Sequence, residues 1–84
     1  MDSQSGTKII NNNGSYTIQN NGHIRIYFDN SPGSVRVNNV TYVYFGSPIV
    51  MTFPPIPVKA GDVITASGFN SNQSSISFVP AGEL

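Results

Sequence analysis

The chain of 84 residues carries four basic and four acidic side chains, a formal net charge of zero and no cysteine. Its length fits one domain, and the missing thiols exclude disulfides, thiolate metal sites and a cysteine nucleophile. Lys8, Arg25, Arg36 and Lys59 are spread along the chain, so it lacks the clustered cations that nucleic acid demands.

A chain this short buries only about 60–65% of the surface its unfolded form exposes. Small folds compensate with disulfides, metals or association. One histidine and four scattered acids do not suggest a metal cage, and no cofactor is implied. Association is the expected source of the missing stability. No apolar run approaches the roughly 18 residues of a membrane-spanning helix.

The opening "MDSQSGTKIINNNG" has no apolar core after a basic start, so no signal peptide is expected. Residues 1–13 read as a polar, flexible arm, in which Lys8–Ile10 could form a short strand, and residues 14–84 as a single β-domain. Asn-x-Ser/Thr sequons at Asn13, Asn39 and Asn72 are chance matches in an Asn- and Ser-rich chain without a secretion signal.

Period-two alternation dominates the rest of the chain. In "HIRIYF", Ile24, Ile26 and Phe28 share one face, with His23, Arg25 and Tyr27 opposite. A three-residue loop at Asn20-Asn21-Gly22 would pair Ile18 with Ile24 and Tyr16 with Ile26, with Gly22 at positive φ. Asp29 in "FDNSPGS" reads as a turn former. In "SVRVNNVTY", a two-residue Asn38-Asn39 turn pairs Val37 with Val40, Arg36 with Thr41 and Val35 with Tyr42; asparagine tolerates the positive φ of a type I′ turn. Further strands are expected at Ile49–Phe53, Asp62–Ser67 and Ser75–Val79, with "PPIP" stopping the ladder because proline has no N–H. The spacing predicts an all-β, jelly-roll-like sandwich of seven or eight short antiparallel strands.

"VTYVYF" and "IVMTF" carry apolar bulk on both strand faces, more than one sandwich core covers. Val43, Phe45, Met51 and Phe53 are therefore expected at a subunit seam, opposite a face bearing Tyr42 and Tyr44. In "PVKAGDVITASG", Gly61 and Asp62 read as a bend: Gly61 supplies positive φ, Asp62 accepts turn N–H groups, and Lys59 lies over apolar neighbours. His23 has no adjacent carboxylate or nucleophile and reads as a solvated strand residue. No catalytic residue is assigned, and the chain reads as a non-enzyme.

"PVKAGDVITASG" is similar to the Gly-Asp corner of small trimeric jelly-roll heads such as the C1q and tumour necrosis factor families. Over residues 15–80, "SYTIQNNGHIRIYF", "SVRVNNV", "PIPVKAGDVITASG" and "SSISFVP" more closely resemble small bacteriophage virion proteins: capsid decoration proteins, head fibres and tail-fibre tips. The resemblance implies a homotrimer, located in the virion and docked on a major capsid or fibre protein. The short length favours such docking over a receptor-binding protein with its own shaft. The alternative is a lectin-like module that binds surface glycan through Tyr27, Tyr42 or Tyr44, flanked by Asn, Asp and Gln.

Overall fold

The computed structural model describes residues 7–70 and 74–81. They form seven strands: β1 (Thr7–Asn11), β2 (Gly14–Thr17), β3 (Gly22–Val37), β4 (Val40–Thr52), β5 (Ile56–Val58), β6 (Val63–Ser67) and β7 (Ser75–Pro80). Every pairing is antiparallel. The chain is a small all-β fold, nearly closed into a barrel.

The long strand β3 organises the rest. Its first arm pairs with β7 over Gly22–Tyr27 on one edge, and with β5 and the end of β4 on the other. Its second arm pairs with β6 over Ser34–Val37 and with the start of β4. The outer strand β1 joins β7, and β2 joins β6. The shortest dimension of 18 Å accommodates two layers about 10 Å apart. Inward positions alternate along both arms: Ile24, Ile26 and Phe28 on the first, Val35 and Val37 on the second, all buried. Phe28 lies at the centre, with ring centroids 5.8 Å from Phe45, 5.4 Å from Phe53 and 4.7 Å from Phe69.

The expected turn at "FDNSPGS" is a corner inside a continuous strand. Register shifts flank Ser31, and Asn30 has φ 53°. Two buried serines satisfy backbone groups that the bend takes out of the ladder. The Ser74 hydroxyl accepts from Asp29 N–H at 2.9 Å, and Ser31 accepts from Asn70 N–H at 2.9 Å while donating to the Pro32 carbonyl. Across the bend, a Cβ on Gly33 would lie 2.8 Å from the Phe69 ring, so the missing side chain lets this ring reach Phe28.

The Asn20–Gly22 hairpin does not form. Strand β2 pairs with β6, placing Tyr16 opposite Ile64, because β7 and β5 already occupy both edges of the first arm of β3. Asn20–Gly22 is instead a crossover between the layers. Asn21 holds it, accepting from Ala60 N–H through its side chain and from Ala81 N–H through its carbonyl. Ile18 is buried as expected, but beside the β5–β6 corner: Ile18 N–H donates to the Asp62 carbonyl, and Gly61 N–H to the Ile18 carbonyl. Gly22 is required for close approach, not for positive φ. A Cβ there would collide with the Val79 carbonyl oxygen and lie 2.8 Å from the Phe78 ring.

The Asn38-Asn39 turn forms with φ 52° and 68°. Val37 faces Val40 and Arg36 faces Thr41, but Val35 faces Val43. Tyr42 is an extra residue, a β-bulge, which restores Val43 to the inward face. Residues 7–13, expected in the arm, are part of the fold. From Thr7 the chain belongs to the sheet, Ile10 enters the core, and the Asn13 side chain brackets the backbone of Phe69 with two 2.9 Å hydrogen bonds. Residues 1–6 and the sequon at Asn72 lie outside the described residues.

Candidate functional site

The Lys59–Asp62 corner is a bend, and it also ties in the hairpin tip at Asn38 and the crossover at Ile18 and Asn21. Asp62 N–H donates to the Lys59 carbonyl at 3.0 Å across a turn in which Gly61 has φ 96°. One Asp62 carboxylate oxygen accepts from Lys59 N–H at 2.9 Å, and the other from the Asn38 amide at 3.0 Å. Asn38 returns the contact by accepting from Val63 N–H at 2.9 Å. The Lys59 N–H bond first, then the Asn38 bond, hold the Asp62 carboxyl below its ordinary value; the nearby Lys59 charge adds to them, and partial desolvation opposes.

Beside this corner lies a cleft of about 440 Å³. Val37 and Val58 line it together with Val40, Tyr42, Asn38 and Lys59. Tyr42 supplies an aromatic ring to this lining, as the lectin-like reading requires. Its amide and carboxylate neighbours are already committed, since Asn38 and Asp62 use their polar atoms to lock the corner. A second cleft of about 340 Å³ lies among Pro32, Gly33, Ser34, Tyr44, Gly46 and Gly68. Tyr42 and Tyr44 therefore line separate clefts. Tyr27 is half-buried, and its hydroxyl donates to Asp29 at 2.9 Å. That bond, with partial desolvation and the carboxylate charge, raises the Tyr27 phenol above its ordinary value.

The four residues expected at a subunit seam separate. Val43 is buried in the core, with Phe45 and Phe53 packed against it. Their face is already used inside the chain, because the bulge at Tyr42 and the Phe28 cluster turn them inward. Met51 is exposed. The uncovered apolar surface of β4 is instead Val40, Tyr42, Tyr44, Val50 and Met51. Val40 and Met51 face Val37 and Phe28, both buried. Cross-strand partners share a sheet face, so Val40 and Met51 sit on the core side and remain exposed because, among the described residues, β4 has no strand beyond it. Val40 was the readable omission: the two-residue turn already placed it across from Val37. The latch of Asn38 on Asp62 had no local signal, since the two residues lie far apart in sequence.

His23 lies between Pro57 and Val79 on β3. Among the described residues no group of three His, Cys, Asp or Glu side chains comes together, and no helix is long and apolar enough to cross a membrane. Comparison of the chain with protein-family models, with curated proteins and with solved structures finds no match in any of the three.

Proposed function

We propose that this chain is a non-enzymatic structural protein that associates with copies of itself and docks on a larger protein assembly. One observation carries the reading. Strand β4 exposes Val40, Tyr42, Tyr44, Val50 and Met51, and no residue between Arg36 and Lys59 is charged. Several exposed apolar side chains on one strand that has no charged residue of its own favour contact with protein. The polar side chains, by contrast, serve the fold: Asn13, Ser31, Asn38, Asp62 and Ser74 each satisfy backbone groups. The resemblance to small virion proteins gives the setting, a decoration or fibre component of a phage particle.

The glycan alternative rests on Tyr42 beside Asn38 and Asp62 in one cleft, and is weakened because both neighbours already hold the corner. The experiment is thermal unfolding at several protein concentrations. Assembly coupled to folding raises the midpoint with concentration. A midpoint independent of concentration, together with binding on a glycan array, would overturn the structural reading in favour of the lectin-like one.

A further inference from the structure

We propose that two copies pair antiparallel, edge to edge, along residues 40–45 of β4 about a twofold axis. The inference rests on the self-association reading and specifies its surface and symmetry. Among the described residues, strand β4 hydrogen-bonds only to β3, so its other edge is open. The direction of that edge is set by the turn. In a two-residue hairpin the closing pair, here Val37 and Val40, exchanges hydrogen bonds, and the next pair does not. That next pair is Arg36 and Thr41. The N–H and carbonyl of Thr41 therefore point away from β3, toward the open edge.

The sequence of this edge is Val40-Thr41-Tyr42-Val43-Tyr44-Phe45. All six are β-branched or aromatic, the residue types that favour strands. None is charged, and none is proline or glycine. Solitary domains protect such an edge with lysine, proline or a short strand; within residues 40–45 the single bulge at Tyr42 is the one such device, and the proline of β4, Pro48, lies beyond them. Val40 marks the opening in the core: it is 59% exposed, while its cross-strand partner Val37 is 6% exposed. A strand added beside β4 would extend the sheet over this gap.

The occupant is a second copy on grounds of charge. The edge has no charge with which to select an acidic or basic strand, and the whole chain has zero net charge, so two copies approach without mutual repulsion. Antiparallel self-pairing sets the same uncharged row on both sides. It is also closed along β4: each copy contributes its β4 edge, and the twofold pair uses both.

The test is the solution mass of the unaltered protein, of Thr41→Lys and of Thr41→Pro, each checked for retained β circular dichroism. Thr41 is exposed and stands opposite Arg36, so lysine there costs the hairpin some stability, which the circular dichroism check reads, while setting two like charges near the twofold axis. Proline removes the outward N–H and costs no β3 hydrogen bond. The expected result is a dimer for the unaltered protein and at least tenfold weaker association for Thr41→Lys, with Thr41→Pro the same where it folds. A trimer, or a dimer indifferent to Thr41→Lys, overturns the edge pairing and leaves self-association standing. A monomer at every concentration overturns both.

Discussion

The side-chain amide of Asn38 donates to the Asp62 carboxylate at 3.0 Å and, through its oxygen, accepts from Val63 N–H at 2.9 Å. This reciprocal contact fastens the tip of the β3–β4 hairpin to the corner that starts β6. Both Asn38 and Asn39 have positive φ, so glycine satisfies the backbone at either position. Asn38→Gly should nonetheless lose about 1 kcal/mol with its hydrogen bonds, and Asn39→Gly should stay within about 0.5 kcal/mol of the parent. Urea denaturation of the two variants measures the difference.

Acid should release the same latch. The Asp62 carboxyl is held below its ordinary value of 3.8 by Lys59 N–H and Asn38. A depressed folded value means the unfolded chain binds the proton more readily. The contribution of Asp62 is therefore fully present above the ordinary value and is lost as pH falls through the folded value. The stability difference between the parent and Asp62→Asn should be larger at neutral pH and shrink on acidification. A difference independent of pH would show that the carboxylate charge is not what fastens the corner.

Two glycines should fail for different reasons. Gly61 has φ 96° with open space where a Cβ would go, so the obstacle is backbone conformation. Gly61→Ala should cost about 1–2 kcal/mol, and Gly61→Asn less, because asparagine tolerates this region. Gly22 has no room for a Cβ beside the Val79 carbonyl and the Phe78 ring. Gly22→Ala should cost about 1–3 kcal/mol, with asparagine worse than alanine. Thermal midpoints of the four variants test the opposite rankings.

Val43 and Tyr44 are neighbours in sequence with opposite tasks. Val43 is 9% exposed and belongs to the core, while Tyr44 is 70% exposed. Val43→Asp should unfold the chain at a cost of about 3 kcal/mol or more by burying an unpaired charge. Tyr44→Asp should keep the fold and weaken association. Circular dichroism and mass together separate the two effects.

The strand faces and the hairpin turn were legible because they depend on neighbours in sequence. Alternation placed Ile24, Ile26 and Phe28 together, and Asn38-Asn39 set the turn that fixes Val37 against Val40. Partner choice was less legible. Asn20-Asn21-Gly22 has good hairpin chemistry, but β7 and β5 compete for the same edges of β3 from residues far along the chain. The bulge at Tyr42 was hidden for a related reason. It reverses which half of "VTYVYF" faces the core, and only packing of Val43 and Phe45 around Phe28 selects it. Val43, Phe45 and Phe53, expected at a seam, consequently pack into or against the core, while Val40 and Tyr44 remain exposed. The bend role of Gly61 and Asp62 was local and was read correctly; its anchoring to Ile18, Asn21 and Asn38 was not.

The most direct test of assembly along β4 is amide hydrogen exchange at Thr41, measured as protein concentration is raised. Among the described residues, no strand of the same copy faces the outward N–H of Thr41, and it acquires a partner when two edges pair. Edge pairing gives rapid exchange in dilute solution and protection that grows with concentration. Rapid exchange of Thr41 at every concentration, under conditions where the protein is shown to be associated, would contradict it.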